Sequence, residues 1–156
     1  MGIRASFRIV TPEAFAACQA DPAAELPRDG ERFDIGKTWF NFHLIFRRET
    51  GPLRFVIAGD VAEKPLEGNL ILEEGQSEDE GDFAHLGYVS PAAVKAIAEE
   101  LKKFPRWKMV DRLRREQPMW VQHKDGRDRF CDAFDELNRA YATAAKLGAA
   151  LQIVIC

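Results

Sequence analysis

Histidine and cysteine are scarce in this sequence, with three of each among 156 residues. Cys18, Cys131 and Cys156 are odd in number and widely spaced, without a C-x-x-C pair, which argues against a disulfide framework or a zinc ribbon. The histidines form no H-x-x-x-H or H-E-x-x-H motif, and the acidic residues lack the alternation of a calcium-binding loop. We therefore expect no metal and no cofactor, and a reducing, cytoplasmic setting.

Long apolar runs and an excess of positive charge are also missing. The longest strongly apolar stretches, residues 39–46 and 149–156, are far too short for a membrane span, and the amino terminus does not resemble a secretion signal. Lys and Arg number 22 against 25 Asp and Glu, a formal charge of −3. This balance makes nucleic acid an improbable partner for the surface as a whole.

The sequence contains no G-x-S-x-G, P-loop or dinucleotide-binding fingerprint. Common hydrolase and nucleotide-binding functions thus lose their usual support. Apolar residues make up 46% of the chain and include eleven Phe, which is more than a disordered chain carries. We expect one folded domain spanning residues 1–156.

Alternating apolar residues predict strands at residues 3–10, 84–89 and 151–155. Thr11-Pro12 and Ser90-Pro91 each combine a capping hydroxyl with a proline suited to the first turn of a helix. Further helices are predicted from Asp34 to the Gly51-Pro52 step, over residues 107–115 and over residues 128–146, which form the longest helix. The predicted fold class is α+β, with a small mixed sheet packed against several helices and ending in a long helix and a C-terminal strand.

Four features occur in a fixed order along the sequence. They are the D-x-x-K-x-W-x-x-x-H pattern from Asp34 to His43, the Gly51-Pro52-Leu53 step, the strand-to-helix junction at residues 87–91, and the C-terminal helix and strand at residues 134–155. Together they resemble the YfbM-like family, small bacterial proteins built on a domain of unknown function. The resemblance covers nearly the full length and implies an α+β fold in a bacterial cytosolic protein. It implies no reaction or catalytic residue. The acidic residues 73–82 and residues 105–126 depart most from the family pattern. If this chain has a binding partner that other family members lack, we expect the partner to bind these segments.

Asp34, Lys37, Trp39 and His43 are candidates for a pocket on the predicted helix. A carboxylate, an amine and an imidazole close together could form an acid–base site if burial shifted their pKa values. The alternative is that these residues have only structural roles. Asp34 could cap the helix, Lys37 could lie in solvent, and His43 could be a core histidine bonded to a backbone carbonyl.

Two other groups could carry chemistry. Cys131 with His123 and Asp132 provides the residue types for a thiolate nucleophile, but no fold signature places them together, and a plain buried cysteine is the favoured interpretation of Cys131. Seven cations between residues 102 and 115, with Phe104 and Trp107 among them, could follow a phosphate backbone or could form a solvated helix face.

Two hypotheses for function follow. The first is a non-enzymatic protein-binding module, of which an immunity-type inhibitor of a toxin is one form, because the acidic segment suits a basic partner. Its candidate partner-binding residues are Glu78, Asp79, Glu80, Asp82 and Trp120, the last either an interface anchor or a cover for the core edge. The second is a small-molecule enzyme or ligand-binding protein with its pocket around Asp34, Lys37, Trp39 and His43.

Overall fold

A computed structural model describes residues 3–21, 28–62 and 85–156. Its strands form one antiparallel sheet in the order β2-β1-β5-β4-β3. The strands are β1 (Ala5–Val10), β2 (Arg32–Gly36), β3 (Val61–Ala62), β4 (His85–Val89) and β5 (Ala150–Ile155). The N-terminal and C-terminal strands, β1 and β5, are therefore neighbours at the centre of the sheet.

Six α-helices and one short 3-10 helix are found among the described residues. They are α1 (Pro12–Ala20), α2 (Trp39–Phe46), the 3-10 helix (Pro52–Phe55), α3 (Pro91–Lys102), α4 (Arg106–Glu116), α5 (Pro118–Gln122) and α6 (Lys124–Leu147). The predicted caps are confirmed, since Thr11 accepts a hydrogen bond from the Ala14 N–H and Ser90 accepts one from the Ala93 N–H. Gly148 ends α6 in the left-handed conformation, with φ of 62°.

The two faces of the sheet are covered differently. Phe7, Leu151 and Ile153 face the main core, against which α3 and α6 pack. On the other face, Phe15 of α1 contacts Tyr88 in a smaller apolar cluster. Strict alternation along β1 and β5 makes this division possible, because neighbouring side chains on a strand point to opposite faces.

The α+β class is confirmed, with three corrections to its details. The sheet is antiparallel at every described pairing, not mixed. The helix predicted from Asp34 begins only at Trp39, because residues 32–36 pair with β1 as a strand and Gly36 turns the chain with φ of 59°. Asp34 therefore lies on a strand and Lys37 in the following turn. The long helix begins at Lys124, four residues before its predicted start.

Candidate functional site

An open cleft of about 940 Å³ lies between α4 and the first turns of α6. Six of its nine lining residues are charged, and the other three are Trp107, Val110 and Cys131. The charged residues are Arg106, Asp111, Arg114, Arg127, Asp128 and Asp132. Three positive and three negative side chains thus leave the lining without formal net charge.

Trp107 stands at the edge of this cleft with 71% of its surface exposed. Its position follows from how α4 packs. Met109 and Leu113, one helical turn apart, are fully buried in the main core, which fixes the inward face of α4. Trp107 precedes Met109 by two residues and so projects from nearly the opposite side of the helix.

α5 connects the two walls of the cleft. Gly126 lies in the first turn of α6, where an added Cβ would come within 2.6 Å of the Trp120 carbonyl oxygen. Because glycine has no Cβ, α5 can approach α6 closely at this point. Trp120 itself is half-buried and packs against the main core. The structure thus places Trp120 at the edge of the core, and its part in partner binding stays a prediction.

Most of the charges on α4 already have a partner. Arg106 bonds Asp135 of α6, Arg112 bonds Glu49, and Arg115 lies 3.0 Å from an Asp111 oxygen. Of the seven cations between residues 102 and 115, only Lys108 lacks a carboxylate partner among the described residues, and its ammonium lies 4.4 Å from the centre of the Phe104 ring. A surface neutralised in this way offers little free charge to a phosphate backbone.

Cys131 lies in the cleft wall, in surroundings that do not favour its thiolate form. Burial raises the pKa of its thiol above the ordinary value, with smaller and opposing effects from Arg106 and Asp135. A raised pKa leaves less thiolate at neutral pH, and the thiolate is the reactive form. His123, the proposed partner, is exposed at the residue preceding α6. These observations favour the structural interpretation of Cys131.

The structure divides the four candidate pocket residues into two pairs. Asp34 and Lys37 are exposed, whereas Trp39 and His43 are buried. Asp34 accepts a hydrogen bond from the Gly36 N–H at 2.7 Å and lies 3.3 Å from Arg4, while the Trp39 indole N–H donates to the Ile3 carbonyl. A common ligand site for all four stays a prediction supported by residue type.

Glu78, Asp79, Glu80 and Asp82 lie outside the described residues, so their part in partner binding also stays a prediction.

Within residues 3–21, 28–62 and 85–156, no three His, Cys, Asp or Glu side chains are grouped to hold a metal ion. No helix in those ranges combines the length and apolarity needed to cross a bilayer. The cleft beside Trp107 is therefore the feature from which a function can best be argued.

Comparison with known proteins identifies the family. A family model described as a domain of unknown function, DUF1877, matches residues 1–154. Among solved structures, the chain is similar to YfbM from Escherichia coli, a protein of unknown function, with a TM-score of 0.58 and 16% identity over 98% of this chain and 99% of that chain. At this identity the likeness is one of fold alone. No curated protein matches the chain. The predicted resemblance to the YfbM-like family is confirmed, and the chain belongs to the DUF1877 family.

Proposed function

We propose that this protein is a non-enzymatic protein-binding module whose partner docks on the cleft between α4 and α6, with Trp107 as its anchor. The observation that carries the proposal is the exposure of the Trp107 indole beside a cleft with balanced charges. A tryptophan left 71% exposed keeps most of a large apolar side chain in water. A partner that covered it would gain the free energy of that burial.

The composition of the cleft favours a protein over a small molecule. Pockets for small ligands are lined mainly by apolar and aromatic side chains, whereas six of the nine residues here are charged. Tryptophan and arginine are the residues most enriched among those that dominate binding energy at protein interfaces. A cleft lined by Trp107 together with Arg106, Arg114 and Arg127 matches that composition.

An immunity-type inhibitor of a toxin is the specific form of this proposal that the sequence suggests. The chain has a net charge of −3 and carries Glu78, Asp79, Glu80 and Asp82 within five residues. Such a segment would attract a basic protein over distance and accelerate encounter, while the cleft would supply the short-range contacts. In this form of the proposal the partner is basic and presents an apolar surface to Trp107.

The first test is site-specific photo-crosslinking in the native cell. A photoreactive residue replaces Trp107, and a matched control replaces Gln19, which is exposed on α1 beyond the opposite face of the sheet. We expect one discrete protein adduct at position 107 that is missing at position 19. Failure to form any adduct at 107, or the same adducts at both positions, would argue against the cleft as a binding surface.

The second test measures the affinity of the captured protein for purified variants. Trp107→Ala should weaken binding about tenfold or more, as truncation of a central aromatic anchor does. Replacing Glu78, Asp79, Glu80 and Asp82 by their amides should slow association and reduce its dependence on salt. If the affinity of this second variant is unchanged, the acidic segment has no part in binding, and the proposal then rests on the cleft alone.

A further inference from the structure

A row of polar side chains crosses the face of the sheet opposite the main core. The strand register places Arg32 of β2 against Arg8 of β1, Arg8 against Gln152 of β5, and Gln152 against Tyr88 of β4. The Gln152 amide is buried and donates a hydrogen bond to the Tyr88 hydroxyl at 3.2 Å. A hydrogen bond thus fixes the Gln152 and Tyr88 side chains at one end of the row. The other end consists of two adjacent arginines, Arg8 and Arg32.

Arg8 and Arg32 are direct cross-strand partners. Side chains so placed have Cβ atoms about 4.5–5.5 Å apart, and like charges in this position destabilise a sheet. Neither arginine has a carboxylate within ion-pair distance among the described residues. Eight other arginines of the same residues do have such a partner. What distinguishes Arg8 and Arg32 is that they lie directly opposite each other on neighbouring strands.

The neighbouring acid does not compensate for the pair. Asp34 follows Arg32 by two residues and shares its face of the strand. Its two oxygens, however, are taken by the Gly36 N–H and by Arg4. On the other side, an added Cβ on Gly30 would lie 3.3 Å from Arg8 Cγ, so the Arg8 stem passes close over a residue without a side chain. Arg8 and Arg32 are therefore cross-strand neighbours, and no carboxylate in the part of the chain that the structure describes is ion-paired with either of them.

We propose that Arg8 and Arg32 together bind the phosphate dianion of a small phosphorylated molecule. A dianion neutralises both guanidinium groups, whereas one carboxylate neutralises only one. Guanidinium groups also present paired N–H donors that match phosphate oxygens. The site lies across the sheet from the α4–α6 cleft and does not depend on the protein-binding proposal.

Inorganic phosphate is the probe for this site. Its binding is measured by calorimetry and by the rise in melting temperature at about pH 8, where phosphate is mostly a dianion, in chloride of matched ionic strength. We compare the wild type with Arg8→Gln, Arg32→Gln and the control Arg129→Gln, an exposed arginine of α6. The wild type and the control should show the same saturable binding. Each pair variant should bind about tenfold more weakly or not at all.

A second readout separates this proposal from loss of folding. Without phosphate and at low salt, Arg32→Gln should melt at a higher temperature than the wild type, because one of two repelling charges is removed. Saturating phosphate should abolish that difference. Arg32 is exposed, so its variant is expected to fold. A folded Arg32→Gln protein that binds phosphate as tightly as the wild type, or a wild type without saturable binding, would overturn the proposal.

Discussion

Asp60 holds Ser90 through both of its carboxylate oxygens: Oδ1 accepts from the Ser90 N–H at 2.7 Å and Oδ2 from the Ser90 hydroxyl at 2.5 Å. The same hydroxyl accepts from the Ala93 N–H and caps α3. The Asp60 N–H in turn donates to the Tyr88 carbonyl at 3.1 Å. One aspartate therefore joins the segment after the 3-10 helix to the point where β4 ends and α3 begins.

Asp60→Ala should lower the free energy of unfolding by roughly 1–2 kcal/mol, because it removes two charge-assisted hydrogen bonds and leaves the α3 cap without its support. Urea unfolding followed by circular dichroism measures the change. Asp29→Ala is the matched control, since Asp29 is exposed and has no ion pair among the described residues. Equal stability of the two variants would show that the Asp60 contacts contribute nothing.

The starts of α1 and α3 could be predicted because their determinants are local. A hydroxyl residue followed by proline satisfies the first free N–H groups and presets the backbone within four residues. Thr11 and Ser90 do this in the structure, with acceptor distances of 3.2 and 3.3 Å from the capped N–H groups. The alternation along β1 and β5 was equally local and predicted both central strands.

The boundary between β2 and α2 could not be predicted in the same way. Ile35, Trp39 and Phe42 are spaced as on a helix, yet Phe33 and Ile35 also alternate as on a strand. Pairing with β1 decides between these patterns. The paired residues are 24 (Arg8 and Arg32) to 31 (Ala5 and Gly36) positions apart in the sequence, and such a non-local interaction can override local propensity. The left-handed Gly36 then separates the two elements.

The cleft was also beyond the sequence pattern. Apolar residues of α4 occur at Trp107, Met109, Val110 and Leu113, on more than one side of the helix. Their spacing does not determine which of them is buried, because that depends on how α4 packs against the rest of the core. Only the packed structure shows that Met109 and Leu113 point inward and Trp107 outward.

Gly30 should not tolerate a side chain. An added Cβ would lie 1.8 Å from the Ile9 carbonyl oxygen, a backbone atom that cannot move aside without disturbing β1. Gly30→Ala should destabilise the protein by about 1–3 kcal/mol in thermal or urea unfolding. Gly51→Ala is the control, because an added Cβ there meets no atom within 4 Å, and it should be neutral or slightly stabilising. Similar losses in both variants would contradict this explanation.

Trp107 and Trp39 should differ sharply in their contribution to stability. Trp39 is 1% exposed and donates its indole N–H to the Ile3 carbonyl at 3.2 Å, so Trp39→Ala should cost about 3–5 kcal/mol. Trp107→Ala should stay within about 0.5 kcal/mol of the wild type. Chemical unfolding of both variants measures this. A large loss of stability in Trp107→Ala would mean that the indole supports the fold and would weaken its assignment as a free binding anchor.

Tyr141 should make the stability of the protein fall at alkaline pH. Its ring is fully buried and its hydroxyl donates to the Val56 carbonyl at 2.7 Å. Burial, with a smaller contribution from Asp60, raises the pKa of the phenol well above its ordinary value of 10.0. Above that pH the unfolded chain releases a proton that the folded chain retains, so the free energy of unfolding decreases by up to about 1.4 kcal/mol per pH unit from this group.

Tyr141→Phe isolates that effect. At neutral pH the variant should be less stable than the wild type by about 1–2 kcal/mol, because the buried Val56 carbonyl loses its donor. As pH rises from about 9 to 11, the wild type should lose stability faster than the variant, and the gap between them should close. Urea unfolding across this range measures both curves. A constant gap would show that Tyr141 ionises at the same pH in the folded and unfolded chains, which its complete burial makes unfavourable.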